Sequence, residues 1–389
     1  MNKTNLLRIL LVVGVYLLVS GASYKVLSNI VVPGVSAPIT APTVGPEGKI
    51  TFDENLPKTE PCPINGAKYS KQQRQWWEKH EPLGVMVENH VDARPQSGLS
   101  SADVVYEAVA EGGITRFLGV FYCQNAEEIG PVRSARTYFV NFLSEYGGFP
   151  LYGHVGGANT DGPADALGQI ESYGWAGYND LSEFAIGCPV YCRLESHNGR
   201  DVATEHTVYT SSQKLWDYAK NKRKITTTNE DGEVWDADFT QWLFKEDQPT
   251  KGSTQKVHIE FWPSMGSQFF VDWIYDPTTN SYKRNLANKS HVDRNSKKQI
   301  AVKNVIGLFM IESSANDGYP DNVHLLYKDK GKGKASVFMD GKQINGTWEK
   351  DTRTDRMMIR DDKGNEIKFN RGGIWIQIIP SQQGVVKVN

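Results

Sequence analysis

The sequence has no excess charge of either sign and lacks the short motifs by which a reaction is usually recognised. Its 389 residues carry 43 basic and 45 acidic side chains, so the net charge of −2 gives no reason to expect a nucleic-acid partner. It contains no nucleophile elbow, Walker loop, HExxH helix or pair of CxxC motifs. These absences exclude the usual sequence signatures of serine hydrolases, P-loop NTPases and zinc peptidases. We therefore expect no cofactor and no metal ion.

Cysteine is also scarce, with residues only at Cys62, Cys123, Cys188 and Cys192. A zinc site built from two close cysteine pairs is disfavoured, because CPVYC is the only close pair. We expect a disulfide between Cys188 and Cys192, which leaves Cys62 and Cys123 as a second pair. Disulfides of this kind are typical of exported proteins.

The N-terminus contains the one long apolar run. Lys3 and Arg8 precede Ile9–Ala22, and Ser20-Gly21-Ala22 is a possible cleavage signature, a pattern typical of a secretory signal. An uncleaved anchor is the alternative, because the apolar segment continues to Val32 and is then long enough to span a bilayer. No cysteine follows it for lipid attachment. We expect a single-pass membrane protein with an extracytoplasmic body, or a secreted one if the signal is cleaved.

Composition divides the rest of the chain. Residues 33–61 are rich in Pro, Gly, Ser and Thr and predict an extended linker. Residues 62–222 alternate strand and helix patterns, and 223–234 form a polar interdomain link. Residues 235–389 contain short strand patterns separated by turns such as Asn345-Gly346. The predicted fold is α+β, with a mixed α/β domain followed by a β-rich domain, after the membrane segment at 1–32.

The segment GPVRSAR poses the main functional question. Gly130 and Pro131 predict a helix start, yet Arg133 and Arg136 then lie in the first two turns, where the helix macrodipole disfavours cations. Free backbone N–H groups, the Ser134 hydroxyl and two guanidinium groups would together bind an oxyanion well. The alternative is that both arginines pair with glutamates inside the fold.

Two carboxylates lie four residues apart in the segment VVYEAVAE, upstream of GPVRSAR. Glu107 and Glu111 share one face whether VVYEAVAE is a strand or a helix. A buried carboxylate needs a partner, and Arg116 is the nearest candidate. A structural Glu–Arg pair and a carboxylate pair for acid–base chemistry or metal binding are both open.

Polar residues also end the apolar run PLGVMVENH. Glu88, Asn89 and His90 close this predicted strand, and Asp92 and Arg94 follow directly. Strand ends and the loops after them are frequent positions for functional sites. A solvated turn with an Asp92–Arg94 pair is the structural alternative.

Two histidines are further candidates. His154 ends a predicted strand beside a Gly-rich loop, and His206 precedes a predicted helix. Each histidine alone is more often structural than catalytic. A proton-transfer site becomes plausible only if both converge on the arginines.

Four motifs together resemble the YerB-like family of bacterial envelope proteins. They are PLGVMVENHVDARPQSGLSSADVVYEAVAEGGITRFLGVF, GPVRSARTYFV, GHVGGAN and EHTVYTS, and the similarity continues through WIYDPTTNSYKR and GGIWIQIIP to about residue 380. The resemblance implies an exported, membrane-tethered protein with a two-part domain of unknown function. It also implies a link to cell-wall synthesis through contact with penicillin-binding proteins. The sequence departs from the family by lacking a lipobox cysteine and by having Glu205-His206-Thr207 where relatives tend to have Pro-His-Asn.

We therefore expect a binding protein of the cell envelope that holds an anionic ligand, such as a wall precursor, or a wall-synthesis partner. The alternatives are a hydrolase or transferase of envelope phosphodiesters or glycans, and a non-catalytic scaffold. The predicted ligand-binding residues are Asn89, His90, Arg94, Glu111, Arg116, Arg133, Ser134 and Arg136. The catalytic candidates are Glu88, Glu107, His154 and His206.

Overall fold

Short strands dominate the fold, as the many β-branched and aromatic residues of the sequence favour. A computed structural model describes residues 40–45, 50–229, 231–248, 252 and 256–389. The predicted membrane segment, the start of the linker and the cleavage signature lie outside the described residues. Pro42–Asn389 form one compact unit.

The described residues contain 26 strands and five α-helices. The strands are β1 Thr43–Val44, β2 Ile50–Thr51, β3 Lys58–Pro61, β4 Lys68–Ser70, β5 Leu83–Glu88, β6 Val104–Glu111, β7 Ile114–Phe121, β8 Leu151–His154, β9 Asp180–Ser182, β10 Cys192–Arg193, β11 Val208–Tyr209, β12 Phe244–Lys245, β13 Lys256–Glu260, β14 Val271–Asp276, β15 Ser281–Leu286, β16 Lys289–Ser290, β17 Ala301–Val302, β18 Asn304–Met310, β19 Glu312–Ser314, β20 Leu325–Tyr327, β21 Gly331–Met339, β22 Lys342–Lys350, β23 Met358–Asp361, β24 Phe369–Asn370, β25 Ile374–Pro380 and β26 Val385–Val388. The α-helices are α1 Lys71–Trp77, α2 Thr137–Leu143, α3 Ala166–Ser172, α4 Glu183–Ile186 and α5 Ser212–Tyr218. Short 3₁₀ turns occupy Val91–Ala93, Leu99–Ser101, Thr204–His206, Pro263–Phe269 and Pro320–Asn322, and a π-turn spans Ala219–Arg223.

A ten-stranded mixed sheet runs through the whole unit, in the order β23-β22-β21-β18-β25-β6-β7-β5-β8-β9. The predicted first domain supplies β5 to β9, and the predicted second domain supplies the other five strands. The two groups join where β25 pairs in parallel with β6, with Ile374 opposite Val104. Both parts of the two-domain architecture therefore share backbone hydrogen bonds and one core.

The second sheet is antiparallel and belongs to the second part of the chain. Its order is β16-β15-β14-β13-β26, with β17 pairing β15. It packs on the large sheet through Trp273 of β14 and Trp375 of β25, whose rings meet edge to face at 5.4 Å. Both side chains are fully buried. Aromatic pairs of this geometry add stability beyond the area they bury.

Local sequence signals explain several elements. Ser70 caps α1, its side chain accepting a hydrogen bond from the Gln73 N–H, and the helix buries Trp76 and Trp77. The sequence SKQQRQWWEKH predicts a short helix, and α1 confirms it. The segment SADVVYEAVAEGG, which was open between helix and strand, is strand β6, because hydrogen bonds to β7 and β25 satisfy its backbone on both edges.

The segments predicted as linkers carry some regular structure. In the described part of 33–61, β1 pairs with β2, and β3 pairs with β4. In the predicted interdomain link, Thr228 and Val234 form an isolated bridge. Trp235 follows directly and is buried against Tyr122, with ring centroids 5.0 Å apart.

Both predicted disulfides are present. Cys188 and Cys192 close a small loop, and Cys62 and Cys123 join two chain positions 61 residues apart. The described residues contain no free cysteine. Cys62 and Cys123 are buried in the core, so the longer disulfide ties the start of the folded unit to the residues that follow β7.

Candidate functional site

The helix predicted to begin at Gly130 and Pro131 begins instead at Thr137, and this corrects the sequence interpretation. The segment before it is extended and lies against neighbouring strands: Val132 N–H donates to the Val208 carbonyl at 2.8 Å and Arg133 N–H to the Met86 carbonyl at 3.0 Å. These tertiary hydrogen bonds override the local Gly-Pro signal. The N–H groups of Val132 and Arg133 are therefore already bonded to carbonyls and are not available to an oxyanion, as the prediction of a helix start required.

Two of the predicted anion-binding arginines are neutralised by one glutamate. Arg116 Nη2 lies 2.9 Å from Glu111 Oε1, and Arg136 Nη2 pairs with Glu111 Oε2. Arg116 Nη1 also donates to the Ser134 carbonyl and Arg136 Nη1 to the Ala135 carbonyl, while the buried Arg136 Nε has no hydrogen-bond partner among the described residues. Burial opposes ionisation of Glu111, but Arg116 and Arg136 outweigh it and lower its pKa to about 2. Internal ion pairing, the alternative left open by the sequence, is what these residues form.

Glu107 belongs to a closed ring of buried hydrogen bonds, which we call the Glu107 ring. Arg284 Nη2 donates to both carboxylate oxygens of Glu107, at 2.9 and 2.8 Å. The predicted Glu–Arg pair with Arg116 thus forms at Glu111, whereas the partner of Glu107 comes from β15 in the second part of the chain. The ring members are Glu107, Arg284, His291, Gln96, Asn89 and Thr115, joined in that order.

The Glu107 ring links side chains from both parts of the chain. Each of its members is buried, and Glu107 accepts further hydrogen bonds from Trp375 and Gln377, at 3.0 and 3.1 Å. Burial, with Arg284 and Arg94 nearby, holds the pKa of His291 well below its usual range. The His291 imidazole therefore accepts a hydrogen bond from Arg284 Nη1 at its Nδ1. Arg284 Nε and Gln377 Oε1 are buried and have no hydrogen-bond partner among the described residues, whereas every other contact named here joins two buried side chains and ties the two parts of the fold together.

Arg94 extends this network towards the surface. Its Nη2 donates to the Asn89 carbonyl at 3.0 Å, its Nη1 donates to the Gln268 carbonyl at 2.8 Å, and its guanidinium stacks 4.9 Å above the Phe269 ring. Burial lowers the pKa of Arg94 to about 10. The Asp92–Arg94 pair considered from the sequence does not form in the structure.

His154 is held apart from the other candidates. Its side chain is fully buried, with Nε2 2.6 Å from Asp180 Oδ1 and Nδ1 2.7 Å from the Gly156 carbonyl. Both ring nitrogens therefore have protein partners. The geometry fits a structural histidine that joins β8 to β9.

Four of the predicted residues do come together, at the C-terminal end of β5 in the large sheet. His206 Nδ1 lies 2.8 Å from Glu88 Oε2, and Arg133 Nε lies 3.3 Å from Glu88 Oε1. The His90 and His206 rings stack in parallel with centroids 4.8 Å apart. We call Glu88, His90, Asp92, Arg133 and His206 the His90–His206 cluster. The hydrogen bond to Glu88 raises the pKa of His206 above its ordinary value.

Arg133 keeps hydrogen-bonding capacity in this cluster. Its Nε is buried and makes no hydrogen bond to any described residue, since the contact with Glu88 is an ion pair without hydrogen-bond geometry. About a quarter of its side chain is exposed (24%). Arg94, Arg116 and Arg136 each donate hydrogen bonds to carboxylates or backbone carbonyls. Among the described residues, Arg133 is thus the one predicted arginine whose side chain makes no such hydrogen bond.

A second candidate region was not anticipated from the sequence. A cleft of about 640 Å³ lies between α2, α3 and the chain after β20. We call it the Asn141 cleft. Its polar wall contains Asn141, Asp165, Gln169, Tyr173, Asp329 and Lys330.

Side chains from both parts of the chain build this wall as one network. Asn141 Nδ2 donates to Asp329 Oδ2 at 2.5 Å, and Asn141 Oδ1 accepts from Gln169 Nε2 at 2.8 Å and from the Tyr173 hydroxyl at 2.9 Å. Gln169 Oε1 is buried and has no hydrogen-bond partner among the described residues. In the sequence, only Asn141 could have indicated this cleft, because it is a polar residue within the apolar run TYFVNFL. Nothing in the sequence around Asp329 indicated a role for that residue.

Known protein families match this chain in two parts, which correspond to the first and second parts of the fold. Residues 69–226 match the N-terminal domain, and residues 257–376 the C-terminal domain, of a protein of unknown function, DUF3048. A relative named "Putative lipoprotein YerB", from Bacillus subtilis (strain 168), is 30% identical over 321 residues, which cover 82% of this chain and 86% of the relative. The chain belongs to the YerB-like family.

The family fold agrees with the structure. A crystal structure of the YerB protein from Bacillus subtilis superposes with a TM-score of 0.67 at 25% identity, covering 85% of this chain and all of that one. The family match extends over both parts that share the ten-stranded sheet. The resemblance predicted from the sequence motifs is confirmed.

Two observations agree with an extracytoplasmic location. The relative is named a lipoprotein, and two disulfides fit an extracytoplasmic compartment. Among the described residues, no helix has the length and apolar character needed to cross a membrane. The anchor predicted at 1–32 is outside the described ranges.

Proposed function

We propose that this protein is a non-catalytic, membrane-tethered binding protein of the cell envelope whose Asn141 cleft takes a hydroxyl-rich ligand, such as a wall glycan. The tether is supported by the apolar N-terminal run, and the envelope by the disulfides and by the name of the relative. The observation that carries the ligand class is Gln169, which lines the cleft and whose Oε1 is a buried acceptor without a hydrogen-bond partner among the described residues.

The chemistry of the wall favours a donor ligand. A buried acceptor without a hydrogen bond costs about 1–3 kcal/mol, which a ligand O–H group would recover. The carboxylates of Asp165 and Asp329 also accept hydrogen bonds, whereas Lys330 is the single cationic side chain among the lining residues. Sugar hydroxyls meet this requirement, and an anionic group would be repelled. The binding role expected from the sequence is kept, with a neutral glycan in place of an anion.

The cleft is preorganised for such a ligand. The Asn141–Asp329 hydrogen bond joins residues 188 positions apart, and both side chains are buried. Lys330 in turn contacts Asp329 Oδ1 at 3.0 Å. Because these side chains are already held in place, little rotamer entropy would be lost on binding.

The test is a calorimetric titration of the full chain in detergent micelles with N-acetylglucosamine oligosaccharides. We expect saturable binding that Gln169→Ala weakens about tenfold, as loss of one buried hydrogen bond implies. Gln213→Ala is the matched control, because Gln213 Oε1 is also a buried acceptor without a described partner but lies on α5, outside the cleft. Absence of saturable binding, or equal weakening by both variants, contradicts the proposal.

An acid–base role of the His90–His206 cluster is the second candidate. The hydrogen bond between Glu88 and His206 beside the half-buried Arg133 is the observation that favours it. Hydrolysis of bis-p-nitrophenyl phosphate by the full chain, abolished in His206→Gln and retained in His154→Gln, is the expected result. Turnover that is absent, or unchanged in His206→Gln, eliminates this candidate.

A further inference from the structure

The His90–His206 cluster also contains the three side chains best placed to bind a metal ion. His90, Asp92 and His206 each offer a ligand atom, and these three atoms lie within 4.8 Å of one another. Two imidazoles and one carboxylate are a ligand set that suits Zn²⁺. We propose that His90, Asp92 and His206 form a binding site for a divalent transition-metal ion of the Zn²⁺ type.

Two short turns bring the three ligands together. His90 caps the 3₁₀ turn that contains Asp92, with Nδ1 accepting a hydrogen bond from the Asp92 N–H, and His206 ends the 3₁₀ turn Thr204–His206. The Nδ1 atom of His90 lies 3.6 Å from Asp92 Oδ2. The two turns are distant in sequence, and they meet at the C-terminal end of β5, where residues 129–133 bond both to β5 and to the chain around β11.

Glu88 supplies the outer support that metal-binding histidines usually have. Its Oε2 lies 2.8 Å from His206 Nδ1, and both side chains are almost fully buried. This contact fixes the orientation of the imidazole and leaves Nε2, which has no hydrogen bond to a described residue, as the ligand atom. Carboxylate–histidine–metal arrangements of this kind are common, and the outer carboxylate raises the basicity of the imidazole.

The other two ligands are free to adjust. His90 and Asp92 are 32% and 49% exposed, respectively. Zinc ligands lie about 2.0–2.2 Å from the ion. His90 must therefore turn out of its parallel stack with His206, and an exposed side chain at a turn can do so at low cost. Three protein ligands at a solvent-facing position leave a coordination position for water or another exogenous group.

The charges around the ligands favour a cation. Glu88 and Asp92 belong to the cluster, and Glu205 interacts electrostatically with His90 and His206. These three carboxylates face two guanidinium groups, those of Arg133 and Arg200. The approach of Zn²⁺ is therefore favoured over that of an anion.

The test uses the untagged full chain in detergent, stripped with EDTA and titrated with Zn²⁺ against a chromophoric chelator. We expect one equivalent to bind, and Co²⁺ to give the visible absorption bands of an imidazole-ligated ion. His90→Gln and Asp92→Asn, both at partly exposed positions, and His206→Gln should each weaken binding at least tenfold. Glu88→Gln should weaken it about 10–100-fold, as loss of an outer carboxylate usually does.

His258→Gln is the matched control. His258 also contacts two carboxylates, Asp272 at 2.7 Å and Glu260 at 3.0 Å, but Lys256 and Lys387 already pair with them. This variant should bind Zn²⁺ like the wild type. The proposal is overturned if no stoichiometric binding occurs, if His90→Gln and Asp92→Asn bind as tightly as the wild type, or if His258→Gln loses as much affinity as they do.

Discussion

Arg284 donates two hydrogen bonds to the carboxylate of Glu107 across 177 positions of sequence, and both side chains are fully buried. The pair connects β15 of the second sheet with β6 at the centre of the first. Thr115, Trp375 and Gln377 satisfy the rest of the carboxylate. A residue that the sequence offered as a general base is thus a link between the two parts of the fold.

The first prediction concerns this pair. Glu107→Gln leaves the Arg284 charge buried without its counter-ion, so we expect the free energy of unfolding to fall by about 3–5 kcal/mol. Urea denaturation measures the loss. Glu54→Gln is the control, because it removes the exposed Lys58–Glu54 pair, which contributes about 0–1 kcal/mol. Similar losses in the two variants would contradict a buried structural role for Glu107.

The second prediction concerns stability in acid. Arg116 and Arg136 lower the pKa of Glu111 from 4.5 to about 2, despite the opposing effect of burial. A carboxyl group with a depressed folded-state pKa stabilises the protein above its unfolded pKa, and this contribution is lost as the pH falls towards the folded value. Stability should therefore decrease between about pH 4.5 and pH 2, by at most about 3 kcal/mol from this group.

Glu111→Gln tests this pH dependence. The variant should be less stable than the wild type at neutral pH and should lack part of the acid loss, so that the two curves converge near pH 2. Urea midpoints between pH 2 and pH 7 provide the measurement, with Glu54→Gln as an exposed control that keeps the wild-type curve. Parallel curves for Glu111→Gln and the wild type would show that Glu111 is not held by the arginines.

The third prediction compares the two disulfides. A cross-link stabilises mainly by restricting the unfolded chain, and the effect grows with the length of the closed loop. The separations are 61 residues for Cys62–Cys123 and 4 for Cys188–Cys192. Replacing both cysteines by alanine should therefore cost about 4 kcal/mol for the long loop and about 2 kcal/mol for the short one. Urea unfolding without reductant measures both, and a larger loss from the short loop would refute the argument.

Local patterns predicted much of the secondary structure. The run SKQQRQWWEKH predicted α1, and the apolar run PLGVMVENH and the residues before His154 predicted strands where β5 and β8 lie. These predictions succeeded because the apolar pattern of a short element depends on residues within a few positions. The cysteine pairing was also predictable, since the short separation within CPVYC left one other pair.

The start of α2 was not predictable in this way. Gly130 and Pro131 are a strong local helix signal, but hydrogen bonds from Val132 and Arg133 to neighbouring strands hold the segment extended. The energy of those contacts exceeds the local preference. The tertiary structure also decided the partners of the arginines. Arg116 and Arg136 pair with Glu111. Arg133 lies beside Glu88, which in turn contacts His206.

By itself, the sequence determined the family, the cysteine pairing and several of the short elements, because each of these depends on motifs or on neighbours along the chain. Only the tertiary structure decided which charged groups meet. Arg284 reaches Glu107, Asp329 reaches Asn141 and His206 reaches Glu88 from more than 100 positions away. A buried charge takes whichever partner the packing of the sheets brings within hydrogen-bond distance, and no local pattern encodes that choice.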